Sequence, residues 1–330
     1  MGQGSMFQAL ITLENIVSPL VLLHCHKSGG SKKEHAEGFA KIEVLNPKCI
    51  LLMASSKSFS VAATEPETLF HEIEDKKSGK VRRIAYKKIN GPCPQGLIYI
   101  PGFMSNKSGI KATTLQSFCL KYGFSYVRYD PSGLGESDGV PITETRLSLW
   151  LEDATEMLLK MSHGPQVVIA SSMGCWISCL LAKKYPEKFK SIIMLAPGIN
   201  SGEKLEKKLH SQLLPEDLKK YEDGETLNLC NPEYGDFPVC KMMFEDMKQF
   251  NLTLAPERVT VTCPVRIIHG LKDKDVPYKE SLELLHALKT DDAQLIYLKH
   301  ADHRLKDDAS LEVICDTVLK LASHEHPEAI

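Results

Sequence analysis

A serine between a buried strand and a buried helix is the strongest chemical signal in this sequence. Residues 166–170 predict a buried strand, and residues 173–182 predict a largely apolar helix. Ser172 falls in the turn that joins them, and the residues two before and two after it, Ala170 and Gly174, are small. Crowding in a sharp strand-to-helix turn demands small residues at these offsets, and the turn aims the hydroxyl at the positive end of the helix. Ser172 is therefore the candidate nucleophile for attack on a carbonyl carbon.

A nucleophilic serine needs a general base, and the base needs a carboxylate that orients it. On a strand-turn-helix scaffold, these groups follow the serine in the chain order acid, then histidine. Asp273 follows a predicted strand at 265–268, so we expect it at the same carboxyl edge of a parallel sheet as Ser172. Asp275 is the alternative acid. Ser171 is the alternative nucleophile, although the small residues then fall at the wrong offsets.

The candidate base comes one strand further along the chain. A predicted strand at 294–298 leads into a loop that contains His300 and His303. His303 is the preferred base, because His300 is nearly contiguous with the strand. Three successive loops at one sheet edge would then supply Ser172, Asp273 and His303 in the required order.

An acyl-transfer intermediate also needs hydrogen-bond donors for its oxyanion. The backbone N–H of Met173 is the first candidate, because it directly follows the nucleophile. The second is expected from the loop after a predicted strand at 97–100, where Gly102 allows a close backbone approach and Phe103 supplies the N–H. Met104 is the alternative second donor. This chemistry needs neither a metal ion nor a cofactor, and none is predicted.

The composition excludes several other functional classes. The chain of 330 residues has 40 Lys and Arg against 42 Asp and Glu, and this balance argues against a dedicated nucleic-acid binder. Its 10 cysteines are scattered without a CxxC pair, so no zinc-site spacing appears and reduced thiols are expected. The most apolar N-terminal stretch, residues 9–23, is interrupted by polar residues and proline, so no stable membrane insertion is expected.

The elements that must position these residues alternate along the chain. Alternating strands and helices predict an α/β fold with a mostly parallel sheet and helices on both faces. The further predicted strands are 81–86, 125–129 and 192–195, and the further predicted helices are 115–121, 147–161, 281–288 and 311–321.

Three regions depart from this alternation. Residues 1–65 predict a poorly structured N-terminal extension, and its Ser-rich, acid-poor window at 44–64 suggests a possible transit segment. Residues 66–323 form the predicted catalytic domain. An insertion at about 198–262 holds Lys- and Glu-rich helical pieces and a loop around Pro232 and Pro238, and we expect it to cap one edge of the sheet. Residues 324–330 predict a polar tail.

Four segments of the sequence resemble the α/β-hydrolase superfamily, over about residues 66–323. The segment 101–103 (Pro-Gly-Phe) looks like its H-G-x oxyanion loop, and 130–137 (Asp-Pro-Ser-Gly-Leu-Gly-Glu-Ser) is similar to its D-x-x-G-x-G-x-S segment. The segments 269–277 and 302–304 look like its acid and histidine loops. Pro101 and Ala170 depart from the family pattern, which commonly has His and Gly there. The resemblance implies an α/β-hydrolase fold with a small cap insertion.

Within the superfamily, the sequences of segments 101–105, 170–176 and 301–305 are similar to those of a mitochondrial branch of palmitoyl-protein thioesterases and acyl-glucuronide esterases. The resemblance implies a serine esterase or thioesterase that acts on acylated small molecules or S-acylated proteins through an acyl-enzyme. It also implies a mitochondrial location, with the cytoplasm as the alternative. A non-catalytic binding protein on the same fold, or a general carboxylesterase or lipase, is the alternative function. The sequence does not fix the oligomeric state.

Overall fold

The computed structural model describes residues 65–75, 79–231 and 235–323. The strands are β1 (Leu69–Glu74), β2 (Val81–Ile89), β3 (Gly96–Ile100), β4 (Ser125–Tyr129), β5 (Gln166–Ser171), β6 (Phe189–Leu195), β7 (Leu227–Asn231), β8 (Gly235–Val239), β9 (Val265–Gly270) and β10 (Ala293–Leu298). The α-helices are α1 (Ile110–Tyr122), α2 (Leu147–Glu156), α3 (Met173–Lys184), α4 (Ser201–His210), α5 (Pro215–Glu222), α6 (Lys241–Lys248), α7 (Lys279–Ala287) and α8 (Asp308–Ser323).

An eight-stranded sheet in the order β1-β2-β4-β3-β5-β6-β9-β10 forms the centre of the fold. The pairs β1/β2 and β2/β4 are antiparallel, and every pair from β4 to β10 is parallel. Because parallel strands run in one direction, the loops that follow β3, β5, β9 and β10 all leave the same edge of the sheet. The candidate site residues belong to these four loops.

The predicted α/β fold is confirmed, because helices cover both faces of the sheet. Every residue of β3 and β5 is buried, as expected for strands that have helices on both sides. The helix α3 is apolar nearly all round and is correspondingly buried. The helix α1 ends at Gly123, whose φ of 74° is the left-handed conformation that commonly terminates a helix.

The sequence prediction was wrong in the details of the region between β6 and β9. The expected loop around Pro232 and Pro238 contains the antiparallel hairpin β7/β8, and α6 follows it. Because proline has no backbone N–H to donate to a neighbouring strand, Pro238 argues against a strand when the sequence is read alone. A strand of an isolated two-stranded ribbon nevertheless tolerates proline, because it has one unpaired edge. The edge strand β1 was also missed, and helix α2 is followed by a π-helical turn, Met157–Met161.

The region between β6 and β9, called the cap below (residues 196–264), is fastened to the rest of the molecule at its base. The Asp246 carboxylate accepts the backbone N–H of Ser148 at 2.8 Å, at the start of α2. The indole N–H of Trp176 donates to the carbonyl of residue 250 at 3.0 Å. Asn200 and Leu252 exchange two hydrogen bonds of 2.7 Å, which close the ends of the cap on each other.

The predicted N-terminal extension, its transit-like window and the polar tail lie outside the described residues, apart from residue 65. The domain bounds at 66 and 323 and the insertion at about 198–262 therefore remain predictions. Among the helices that the structure describes, none combines the length and hydropathy that crossing a bilayer requires.

Candidate active site

Ser172 occupies a strained turn between β5 and α3. Its φ of 51° and ψ of −119° lie outside the regions that ordinary residues favour. Its backbone N–H donates to the Leu195 carbonyl at 2.8 Å, which ties the turn to β6. A Cβ atom at Gly174 would lie only 2.5 Å from the Ile100 carbonyl oxygen, so the third residue of the turn has no room for a side chain. The requirement for small neighbours thus has a direct steric cause.

The structure brings Ser172, His303 and Asp273 together in one hydrogen-bonded chain. The Ser172 Oγ lies 3.1 Å from Nε2 of His303, and Nδ1 of the same ring lies 2.7 Å from Asp273 Oδ2. Ser172 and His303 are 131 residues apart in the sequence. With Nδ1–H donating to the carboxylate, Nε2 of the neutral ring is a free acceptor that faces the serine hydroxyl.

The side chain of Asp273 is completely buried and receives four hydrogen bonds. The backbone N–H groups of Asp275 and Val276 each donate to its Oδ1 at 2.8 Å. Both His303 and His269 contact its Oδ2, at 2.7 and 2.8 Å. Burial by itself raises the pKa of this carboxyl, but the hydrogen bonds from His269 and His303 outweigh burial and hold the pKa well below its usual range. Asp273 is therefore a carboxylate at neutral pH, aligned on the imidazole of His303.

The alternative residues hold other positions around this chain of hydrogen bonds. Asp275 is exposed and meets Asp273 through its backbone N–H. The His300 ring contacts Asp307 at 3.0 Å, on the outer side of its loop. Ser171 is buried as the last residue of β5, paired with Leu195 of β6.

The loops that carry Asp273 and His303 are joined by their backbones. The N–H of Leu271 donates to Leu298 and that of Lys272 to Ala301, both at 2.9 Å. Lys111 of α1 reaches the same region, since its Nζ donates to the carbonyl of Arg304 at 2.5 Å. Burial lowers the pKa of Lys111 to about 8. Nothing in the sequence singled out Lys111, because a lysine in the first turn of a helix usually points to solvent.

The predicted oxyanion loop passes directly over Ser172. A Cβ at Gly102 would lie 3.0 Å from the Ser171 carbonyl and 3.1 Å from Ser172 Cβ, so this close approach needs glycine. Met104 has a φ of 54°, and the Ser105 N–H closes the turn onto Gly102 at 3.2 Å. Among the described residues, the backbone N–H of Phe103 donates a hydrogen bond to no protein acceptor.

A buried ion cluster supports this loop from behind. Lys107, only 1% exposed, donates its backbone N–H to Asp130 Oδ1 at 2.7 Å and its ammonium to Asp130 Oδ2 at 2.5 Å. The same ammonium contacts Glu136, and Arg128 donates to the Lys107 carbonyl. The Ser137 hydroxyl donates to the Asp130 carbonyl at 2.6 Å. The D-x-x-G-x-G-x-S segment thus buttresses the loop that carries Phe103, a role that the sequence alone did not indicate.

Aromatic rings link the oxyanion loop to the cap. The Phe103 ring packs edge-on against Trp150 of α2, with centroids 5.7 Å apart, and against Phe237 of β8 at 5.5 Å. The hairpin of the cap therefore contributes an apolar side chain to the surroundings of the oxyanion loop. Edge-to-face aromatic contacts of this kind are favourable beyond the area they bury.

Three titratable groups of the site lie close enough together to be compared with a metal centre. Among the described residues, Asp273, Asp275 and His303 have ligand atoms within 4.8 Å of one another. Both oxygens of Asp273 and Nδ1 of His303 are already engaged in the hydrogen bonds given above. A cation would have to break these bonds, so the donor set suits proton transfer better than metal binding.

Two family models match parts of the chain. The model described as serine aminopeptidase, S33, matches residues 96–224, and that of the prolyl oligopeptidase family matches residues 166–320. Among curated proteins, the chain is 34% identical over 238 residues to the mitochondrial palmitoyl-protein thioesterase ABHD10 of Mus musculus, which covers 71% of this chain and 77% of that protein. It is 31% identical over 236 residues to the Homo sapiens protein of the same name, which covers 71% of this chain and 75% of that protein.

Solved structures show the same likeness. The mouse α/β-hydrolase domain-containing protein 10 superposes with a TM-score of 0.65 at 31% identity, over 77% of this chain and 98% of that one. A hydrolase from Agrobacterium vitis S4 superposes with a TM-score of 0.70 at 22% identity, over 78% of this chain and 99% of that one, which shows the fold alone.

Proposed function

Because this chain belongs to the ABHD10 family of α/β-hydrolases, and so cleaves acyl esters or thioesters, we propose that it removes acyl chains from S-acylated proteins through an acyl-enzyme on Ser172. The observation that carries this proposal is the continuous chain of hydrogen bonds from Ser172 through His303 to Asp273, with distances of 3.1 and 2.7 Å. The relatives' name, palmitoyl-protein thioesterase, supplies the substrate class.

In the proposed first step, His303 Nε2 takes the proton of Ser172 as Oγ attacks the thioester carbonyl carbon. The ring becomes positively charged, and the Asp273 carboxylate, which stays ionised, stabilises that charge and holds the ring in place. The oxyanion of the tetrahedral intermediate accepts hydrogen bonds from the backbone N–H groups of Met173 and Phe103. Met173 begins α3, so its N–H is not needed for a helical hydrogen bond.

In the second step, the tetrahedral intermediate collapses and the carbon–sulfur bond breaks. His303 donates its proton to the leaving thiol, which departs with the deacylated protein. A water molecule then gives its proton to His303 and attacks the acyl carbonyl carbon. Collapse of the second intermediate breaks the ester bond to Ser172 Oγ, returns the proton to that oxygen and releases the fatty acid.

We further propose that the cap sets the preference for acyl chain length. Phe237 of the cap lies against Phe103, next to the predicted oxyanion donor, where the acyl group of a bound substrate begins. Apolar side chains favour a hydrocarbon chain over water, and each buried methylene contributes about 0.8 kcal/mol. The hydrogen bonds that join the base of the cap to α2 and α3 favour a fixed acyl pocket over a mobile lid.

The proposal is tested with Ser172→Ala, using Ser171→Ala as the matched control. Wild type and the control should cleave an S-palmitoyl peptide and react with a fluorophosphonate probe, whereas Ser172→Ala should do neither. A series of p-nitrophenyl esters and acyl thioesters from two to sixteen carbons, with an acyl glucuronide as a further substrate, measures the acyl preference. A wild-type protein that no fluorophosphonate labels would favour the non-catalytic alternative.

We also propose a mitochondrial location, as the names of the relatives suggest. The window at 44–64 that resembles a transit segment lies among the residues that the structure does not describe. Expression with a C-terminal fluorescent tag, followed by N-terminal sequencing of the purified protein, tests both points. Diffuse fluorescence in the cytoplasm, with the first 60 or so residues intact, would contradict this location.

A further inference from the structure

A second imidazole shares the carboxylate oxygen on which His303 depends. His269, the fifth residue of β9, is completely buried. Its Nε2 lies 2.8 Å from Asp273 Oδ2, and its Nδ1 lies 2.6 Å from the hydroxyl of Ser281 on α7. The mechanism above makes no use of His269.

The chemistry of the three partners fixes which nitrogen of the neutral ring carries the hydrogen. The ionised Asp273 is an acceptor only, so Nε2 of His269 must carry the hydrogen. Nδ1 of the neutral ring is then an acceptor, and the Ser281 hydroxyl is placed to donate to it. The Val276 carbonyl, 3.2 Å from Nε2, also accepts from this N–H. Asp273 therefore selects the tautomer of His269 that points a donor at it, and the Ser281 hydroxyl fits this tautomer by donating to Nδ1.

We propose that His269 is a positioning residue of the active site, which fixes the Asp273 carboxylate and limits how strongly this carboxylate holds the proton of His303. This inference rests on the proposed function. The N–H groups of Asp275 and Val276 fix one oxygen of the carboxylate, and His269 fixes the other. Because Oδ2 divides its hydrogen bonding between two rings, it stabilises the charged form of His303 less than an undivided carboxylate would.

Among the groups around His269 that the structure describes, Asp273 is the charged group within hydrogen-bond distance of the ring. The loop after β9 contains Asp273 and the exposed Asp275, and the loop after β10 brings His303. Its register partner on β10 is Tyr297, whose hydroxyl donates to the Tyr278 carbonyl. The helix α7 contributes the neutral hydroxyl of Ser281, and β6 faces this end of β9 with apolar Leu195.

The test compares His269→Phe, which fills the space without a donor, with His269→Gln, whose side-chain amide can donate to Asp273. We expect kcat of the Phe variant to fall by about 10- to 100-fold, with KM little changed, because Asp273 loses its alignment. The acid limb of its pH profile should move to higher pH by roughly half a unit to one unit, since Oδ2 then serves His303 alone. The Gln variant should recover most of the activity. The exposed His286→Gln on α7 is the control.

A purely packing role predicts the opposite order, because Phe fills the buried space better than Gln. A Gln variant less active than the Phe variant, or an unchanged acid limb in the Phe variant, overturns the inference. Should His269→Phe fail to fold, His269→Phe/Ser281→Ala removes both buried partners together and carries the same predictions. The pH dependence of fluorophosphonate labelling at Ser172 gives a second readout. If wild type is not labelled, the proposed function fails; if it is labelled and the variants match it, only this inference fails.

Discussion

Replacing Asp273 with Asn removes one charge and little volume, so it tests the electrostatic part of the proposed mechanism. Asp273 Oδ2 lies 2.7 Å from His303 Nδ1, which puts the centres of the two charges about 4 Å apart when the ring is protonated. At an effective dielectric constant of about 20, their attraction is about 4 kcal/mol, or roughly a thousandfold in rate.

Geometry adds to this loss. All four hydrogen bonds to Asp273 come from N–H donors, two on each oxygen. An asparagine must turn its own NH₂ group toward one of these pairs of donors, so it either repels the imidazoles or loosens the loop. We therefore expect kcat/KM of Asp273→Asn to fall by about 10³ to 10⁴, similar to the same change in other serine triads.

The assay is the hydrolysis of a p-nitrophenyl ester and of an acyl thioester by purified Asp273→Asn and by Asp275→Asn, the matched control. Asp275 is exposed, and its hydrogen bond to Asp273 comes from the backbone, which the substitution keeps. We expect less than a tenfold loss in the control. A loss of less than tenfold in Asp273→Asn, or a loss of more than tenfold in Asp275→Asn, would refute the assignment of the acid.

Three further outcomes are expected. Gly174→Ala should lower the midpoint of thermal unfolding, because the new methyl group would lie 2.5 Å from a carbonyl oxygen of β3. Such overpacking costs about 1–3 kcal/mol or more of folding free energy. An unchanged midpoint in calorimetry would contradict the steric argument. Burial raises the pKa of Cys179 to about 12 and that of Cys175 well above its usual value, so N-ethylmaleimide at neutral pH should leave both thiols unmodified and activity intact, as peptide mapping can check. The lowered pKa of Asp273 stabilises the folded protein above the pKa of the unfolded chain, about 3.9, and this stabilisation is lost as the pH falls below that value. In urea unfolding, the difference in the free energy of unfolding between wild type and Asp273→Asn should therefore narrow from pH 5 toward pH 3.

The sequence predicted the strand, turn and helix around Ser172 well, because each constraint there is local. An apolar run as long as β5 is buried in any fold, and a sharp turn restricts the size of Ala170 and Gly174 whatever lies around it. The α/β fold followed from the alternation of elements. Most predicted strands end within a few residues of the observed bounds.

What the sequence did not predict depends on distant contacts. His269 lies four residues before Asp273, but this spacing says nothing about which oxygen the ring meets or that Ser281 closes the chain of hydrogen bonds. Lys107 looks like a surface lysine until Asp130 and Glu136 are placed around it. The hairpin of the cap was missed because its strands are short and one of them contains proline.

The order of the strands also governs when a growing polypeptide becomes reactive. Ser172 follows β5, near the middle of the chain, whereas His303 follows β10, the last strand of the sheet. A nascent chain still attached to the ribosome before β10 has emerged would carry a serine hydroxyl with no imidazole to activate it. Under the proposed mechanism, such a chain would not react with acyl groups until the final strand pairs with β9.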